Sequence, residues 1–136
     1  MVKELSLDAT VENIAVVTDF VNAELEAMGC PMKAQMQIDV AIDELFSNIA
    51  LYAYAPGSGS ATVRVETEQD PPAVIITFID QGIPFDPLSA SAPDVHLPAS
   101  ERDAGGLGVF LVKKIMDEAD YAYRDGNNII RIKKRL

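Results

Sequence analysis

The feature that most constrains the fold is the run Ala73-Val74-Ile75-Ile76-Thr77-Phe78-Ile79, which is apolar on nearly every position of both strand faces. A strand of this kind is buried on both sides, so it lies in the centre of a sheet and not at its edge. Shorter segments in which polar and apolar residues alternate predict further strands at 4–7, 62–68, 121–124 and 129–134. Apolar residues with the helical period predict helices at 11–28, 32–54 and 106–119.

The order of these elements is strand, helix, helix, strand, strand, long loop, helix, strand, strand. Because strands and helices do not alternate regularly, a fully parallel sheet is not favoured. The expected fold class is α/β (α+β): a two-layer sandwich with a mixed, mostly antiparallel sheet and three helices on one face. A length of 136 residues predicts a single domain, 1–136.

Composition and charge exclude several classes of function. The net charge of −10 argues against general binding to nucleic acids, which depends on Lys and Arg that neutralise phosphates. The single cysteine, Cys30, excludes an internal disulfide framework and a cysteine-cluster zinc site. No apolar run approaches the roughly 20 residues of a membrane helix, and residues 1–5 lack the apolar core of a signal peptide. We therefore expect a cytoplasmic protein that contacts neither membranes nor nucleic acids directly.

The last six residues carry four basic side chains: Arg131, Lys133, Lys134 and Arg135. One interpretation is a solvated strand edge whose charges discourage pairing with another sheet. The other is a docking patch for an acidic partner.

Glu44 and Asn48 lie four residues apart in the second helix, so they stand on the same face, in a row that Gln37 and Ala41 extend. This row borders the apolar stripe, where partial burial raises the pKa of a carboxyl group. A polar helix boundary with a Glu–Asn hydrogen bond is the simpler alternative.

Asp80 directly follows the most apolar strand, and Gly82 follows two residues later. A buried Asp is costly unless a donor hydrogen-bonds to it, and the exocyclic amine of a base is one such donor. Gly82 would let the backbone approach a flat ring closely. The alternative is a strand-ending turn that Asp and Gly stabilise.

Three glycines open the last helix within Gly105-Gly106-Leu107-Gly108. Because glycine costs about 1 kcal/mol in a helix, their presence at a helix start indicates another requirement. The free N–H groups at a helix N-terminus bind anions, and glycines let phosphates come near. A flexible hinge is the alternative, and it does not exclude phosphate binding.

Together these three features resemble the Bergerat-fold ATPases, the GHKL superfamily of gyrase, histidine-kinase and mismatch-repair ATPase domains. Chain length and local sequence narrow the resemblance to the anti-sigma-factor serine/threonine kinases of RsbW type. The stretches that carry it are Glu44-Leu45-Phe46-Ser47-Asn48, Asp80-Gln81-Gly82-Ile83-Pro84-Phe85-Asp86-Pro87 and Gly105-Gly106-Leu107-Gly108-Val109-Phe110-Leu111-Val112. The resemblance covers nearly the whole chain and implies a histidine-kinase-like ATPase fold that uses ATP and Mg²⁺.

The resemblance also implies a role for each motif residue. Glu44 matches the general base, Asn48 the residue that holds Mg²⁺ on the triphosphate, and Asp80 the acceptor of the adenine amino group, with Gly82 beneath the ring. The phosphate-contacting box is matched by Gly105, Gly106, Leu107 and Gly108. Residues 84–104 match the ATP lid, in which Arg102 could reach the γ-phosphate.

The sequence departs from the family pattern at two places. Tyr52 stands where the family usually has His, and Ile129-Ile130-Arg131 of the last strand offers no hydroxyl near the adenine. Neither departure touches the general base or the metal residue, so nucleotide binding remains the expectation. A histidine autokinase is not expected, because the only histidine, His96, falls in the lid and no helical dimerisation segment precedes the domain.

The leading hypothesis is an ATP-dependent protein serine/threonine kinase in partner switching. By resemblance it would bind a sigma factor as an anti-sigma factor, phosphorylate an anti-anti-sigma (STAS-domain) protein and form a homodimer. The alternative is an ATP-binding regulatory module for protein interaction with little or no phosphotransfer. A simple ATP hydrolase and an α/β interaction domain without nucleotide are two further hypotheses.

Overall fold

The computed structural model describes residues 2–89 and 106–136. In these residues the strands are β1 (Val2–Asp8), β2 (Ser60–Gln69), β3 (Pro72–Asp80), β4 (Glu118–Arg124) and β5 (Asn127–Arg135). The α-helices are α1 (Ile14–Ala27), α2 (Met32–Asn48) and α3 (Gly106–Ile115). Short 3-10 turns cover Val11–Asn13 and Pro87–Ser89, and a π-helical segment, Ile49–Ala53, continues α2.

The strands form one sheet in the order β1-β2-β3-β5-β4, and every neighbouring pair is antiparallel. The most apolar strand, β3, lies at the centre, as the sequence predicts. β3 and β4 run in the same direction, but β5 lies between them, so the parallel pairing that a mixed sheet implies does not occur among the described strands. The two-layer α/β fold class is confirmed.

The core lies between the sheet and the helices. The apolar residues of the second helical segment, Ile38, Ile42, Leu45 and Ile49, are buried, and so are Val17, Val21 and Leu25 of α1. The sheet contributes a set of alternate residues: Val63, Val65, Val74, Ile76, Phe78, Ile130 and Ile132. Complete burial of one such side chain stabilises the fold by about 1.5–3 kcal/mol.

The opposite face of the sheet is covered by ion pairs. Arg131 lies 3.8 Å from Glu118 and 3.7 Å from Asp120, and Lys133 lies 3.0 Å from Glu68. The edge interpretation of the basic segment is wrong, because β5 is paired on both sides, with β3 and β4. Arg131 and Lys133 contact acids of this chain, and the interpretation of the segment as a docking patch for an acidic partner stays a prediction.

Two helix boundaries differ from the expectation. α3 ends at Ile115 and not near residue 119, because the Asp117 N–H donates to the Lys133 carbonyl at 2.9 Å and the chain joins the sheet. The predicted helix start at residue 11 is a 3-10 turn, Val11–Asn13, and the side chain of the preceding Thr10 makes no capping hydrogen bond. No helix in residues 2–89 or 106–136 is long and apolar enough to span a membrane.

Candidate functional site

Glu44 and Asn48 lie in the last turns of α2, and both side chains are half-buried. Burial raises the pKa of the Glu44 carboxyl, and the negative charge of Asp43 raises it further. Within the described part of the chain, neither side chain forms a hydrogen bond or an ion pair, so the Glu–Asn hydrogen bond of the simpler alternative is not made. Ala41 of the same row is fully buried in the core.

The π-helical continuation of α2 contacts the turn that follows β3. The Ala53 carbonyl accepts a hydrogen bond from the Ile83 N–H at 2.9 Å. A Cβ on Gly82 would lie 2.2 Å from the same carbonyl oxygen, which is closer than any side chain tolerates. This contact alone requires glycine at position 82, and it joins the helix that carries Glu44 to the turn that carries Asp80. An open groove of about 330 Å³ runs along this junction.

Asp80 is the last residue of β3 and is 4% exposed. Its Oδ1 accepts two hydrogen bonds, from the Gly82 N–H at 2.9 Å and from Asn128 Nδ2 at 2.9 Å. The Asp–Gly turn of the simpler interpretation is therefore present. No donor of the described residues reaches Oδ2, which leaves one acceptor on a buried carboxylate.

Asn128 is the site residue that sequence reasoning missed. It is the register partner of Asp80 across β3 and β5, and it is also 4% exposed. The strands predicted at 121–124 and 129–134 leave 125–128 between them as the hairpin turn, whereas the turn consists of Asp125 and Gly126, both with positive φ. An Asp-Gly pair is the usual signal of a two-residue hairpin loop, and it would have assigned Asn128 to β5.

Tyr54 fixes the other side of the Asp80 turn. Its hydroxyl donates to the Ser60 carbonyl at 2.6 Å and accepts from the Gln81 N–H at 2.7 Å. The ring packs so closely on Gly59 that a Cβ there would lie 2.5 Å from it. Tyr54 thus holds the start of β2 and the end of β3 in one position. Tyr52, at the family's His position, is 43% exposed.

The remaining predicted residues are described in part. Gly106, Leu107 and Gly108 are the first residues of α3, so the helix begins where the glycines predict. Gly105, Arg102, His96 and most of the lid segment lie outside the described residues.

The donors present fit a nucleotide with Mg²⁺. The Asn48 amide oxygen is a hard ligand without a partner in the described part of the chain, and Mg²⁺ keeps several waters and needs few protein ligands. No cluster of three or more His, Cys, Asp or Glu occurs among residues 2–89 and 106–136, so a caged metal site is not formed there.

Comparison with known proteins identifies the family of the chain. The sequence profile of the histidine kinase-like ATPase domain matches residues 7–134. The serine-protein kinase RsbW of Bacillus cereus is 24% identical over 134 residues, which are 96% of this chain and 82% of that protein.

Two solved structures share the fold. The RsbU and RsbW domains of a Mycobacterium tuberculosis protein match with a TM-score of 0.70 and 19% identity, over 100% of this chain and 32% of that chain. The SiaB–SiaC complex from Pseudomonas aeruginosa matches with a TM-score of 0.60 and 18% identity, over 97% of this chain and 89% of that chain.

Proposed function

The chain belongs to the histidine kinase-like ATPase domain family, and on this basis we propose that it is an ATP-dependent protein serine/threonine kinase. We further propose that it acts in the cytoplasm as an anti-sigma factor in partner switching. The observation that carries the proposal is the buried Asp80 carboxylate, of which one oxygen is saturated and the other open. It lies in the turn that contacts the end of the helix bearing Glu44 and Asn48.

ATP binding uses residues from three elements. Asp80 Oδ2 would accept a hydrogen bond from the 6-amino group of adenine, and the Asn48 amide oxygen would hold Mg²⁺. The N–H groups at the start of α3 would bind phosphate oxygens. Gly105, Gly106 and Gly108, which flank Leu107 in the sequence, have no side chains that would keep the phosphates away. Mg²⁺, when bound, neutralises the charge that develops on the phosphates.

In the transfer step, Glu44 orients the serine hydroxyl of a protein substrate and accepts its proton. The serine oxygen forms a bond to the γ-phosphorus while the bond from that phosphorus to the β–γ bridging oxygen breaks, and ADP leaves. The raised pKa of Glu44 suits this role, because a general base works best when its pKa approaches the operating pH. We assign to Arg102 the role of contacting the γ-phosphate.

The proposed substrate is an anti-anti-sigma protein with a STAS domain, and the proposed second partner is a sigma factor bound by a homodimer of this chain. The relative from Bacillus cereus is named a serine-protein kinase, and the SiaB structure contains a complex with a second protein, SiaC. Both names support a kinase that acts through protein partners.

A second candidate function is a nucleotide-sensing module without transfer. It is favoured by the hydrogen bonds that connect Asp80 through Asn128 to Ile83 and Phe85, at the start of the predicted lid. Through this connection, ATP could change the lid and thereby the affinity for a partner.

The two candidates are separated by a phosphotransfer assay with radiolabelled Mg-ATP and each STAS-domain protein of the source organism. We expect one of these proteins to be phosphorylated on serine, and Glu44→Gln to reduce the rate by about 100-fold or more, as loss of a general base does. Glu26→Gln, on the exposed face of α1, is the matched control and should leave the rate unchanged. Binding of Mg-ATP without transfer to any of these proteins would contradict the kinase and support the sensor.

A further inference from the structure

We infer that Asn128 is a positioning residue that sets the selectivity of the site for adenine and connects base recognition to the start of the lid. The inference rests on the proposed function, because it assigns Asp80 to the adenine amino group. Asn128 and Asp80 face each other across β5 and β3 on the side of the sheet that the helices cover, as Ile130 and Phe78 two residues away do.

Every hydrogen-bonding position of the Asn128 amide is used. A primary amide has two N–H donors and an oxygen with two lone pairs. Nδ2 donates to Asp80 Oδ1 and to the Ile83 carbonyl, both at 2.9 Å. Oδ1 accepts from the Phe85 N–H at 3.1 Å and from the Tyr121 hydroxyl. A buried amide whose hydrogen-bonding positions are all occupied is held in one orientation.

This network decides which oxygen of Asp80 is offered to a ligand. Because Oδ1 is saturated by Asn128 and by the Gly82 N–H, the carboxylate is held against rotation. The remaining oxygen, Oδ2, can only accept hydrogen bonds. It therefore attracts a ligand amino group, which donates, and repels a ligand carbonyl group, which also accepts. A 6-amino purine is therefore selected over a 6-oxo purine.

The same amide forms hydrogen bonds with the backbone of Ile83 and Phe85, where the predicted lid begins. The Ile83 N–H is held separately by the Ala53 carbonyl, whereas the Phe85 N–H depends on Asn128. A serine or threonine hydroxyl, with one donor, could not bond Asp80 and the Ile83 carbonyl at the same time. The asparagine thus joins the Asp80 carboxylate to the backbone of Ile83 and Phe85.

The selectivity is tested by calorimetric titration of the full chain with Mg-ATP and Mg-ITP, since inosine carries a 6-oxo group where adenine carries the amino group. Asn128→Ala should weaken ATP binding by about tenfold, the typical loss of a hydrogen bond to a charged group, and ITP binding by much less. Asn127→Ala is the matched control, because among the described residues the neighbouring Asn127 side chain bonds only to the Asp125 carbonyl, at 3.3 Å. Equal losses for both nucleotides, or no loss for either, would overturn the inference.

The link to the lid is tested by amide hydrogen exchange. In Asn128→Ala the Phe85 N–H should lose protection while the Ile83 N–H keeps it. Asn128→Asp has the same shape and keeps the acceptor for the Phe85 N–H, but it turns a second carboxylate oxygen toward Asp80. This variant should therefore retain the protection of the Phe85 N–H and lose ATP binding. Unchanged protection at Phe85 in the alanine variant would overturn the inference.

These outcomes separate the inference from the proposed function. If the wild type binds Mg-ATP, Asp80→Asn abolishes binding and Asn128→Ala binds like the wild type, only the inference fails. If the folded wild type does not bind Mg-ATP, both fail.

Discussion

At the residue scale, ionisation of Glu44, the proposed base, opposes folding. Burial and the charge of Asp43 raise its carboxyl pKa, so the folded chain binds a proton at this position more readily than the unfolded chain does. By linkage, the contribution of Glu44 to stability then falls as the pH rises from the ordinary glutamate pKa through the raised pKa. At neutral pH ionisation of Glu44 therefore makes the fold less stable than it would be with the protonated side chain.

Glu44→Gln should consequently raise the melting temperature at neutral pH, although it removes the proposed base. The gain should shrink as the pH is lowered below the ordinary glutamate pKa, where the wild-type carboxyl is protonated in both states. Thermal melts of the two proteins across this range check the prediction, with Glu26→Gln as the exposed control. A melting temperature that falls at neutral pH on Glu44→Gln would show that the ionised carboxylate stabilises the fold.

At the scale of elements, the π-helical segment Ile49–Ala53 and the Asp80–Ile83 turn form one unit. π-Helical segments are rare and occur frequently at functional sites. Here the segment carries the end of α2 to the turn, where the Ala53 carbonyl occupies the space that a side chain at position 82 would need. The sequence predicted a glycine requirement at this turn, but it assigned the space to a nucleotide base, because contact between two distant segments has no local signal.

Gly82→Ala should therefore be destabilising even without nucleotide. Its Cβ would lie 2.2 Å from the Ala53 oxygen and 2.6 Å from the Ala53 carbonyl carbon, both backbone atoms, so one of the two segments has to move. We expect a loss of about 1–3 kcal/mol in the free energy of unfolding, as for other overpacked sites.

Denaturant titration without ligand measures this loss. Gly57→Ala is the matched control, because the nearest atom to its Cβ would be 3.3 Å away, and its effect should be much smaller. Wild-type stability of Gly82→Ala would mean that the contact with Ala53 does not limit the residue at this position.

At the scale of the whole molecule, the sequence predicted most of the fold. Hydrophobic periodicity identified the helices, and the continuous apolar run identified β3 as the central strand. It did not predict that β5 lies between β3 and β4, because strand order depends on contacts between distant segments. That single fact explains why the basic residues of β5 are paired with acids and why Asn128 faces Asp80.

The candidate site was predictable to the extent that its residues lie in local motifs. Glu44, Asn48 and Asp80 each stand in a short stretch with an unusual composition. Asn128 and Tyr54 do not, since their importance comes from hydrogen bonds to residues that are distant in the sequence. Asn128 bonds to Asp80, which is 48 positions away, and Tyr54 bonds to Gln81, which is 27 positions away. Such partners are fixed only once the register of the sheet is known.

The central claim is that Asp80 receives the base of a bound nucleotide. The most direct test is calorimetric titration of the wild type and Asp80→Asn with Mg-ATP, with Asp19→Asn on the exposed face of α1 as the control. If Asp80 receives the base, the wild type and Asp19→Asn bind Mg-ATP saturably and one-to-one, and binding is lost or greatly weakened only in Asp80→Asn. The reason is that an amide in place of the carboxylate disrupts either the hydrogen bond with Asn128 or the acceptor for the adenine amino group. Equal binding by the wild type and Asp80→Asn, or no binding by the folded wild type, would contradict it.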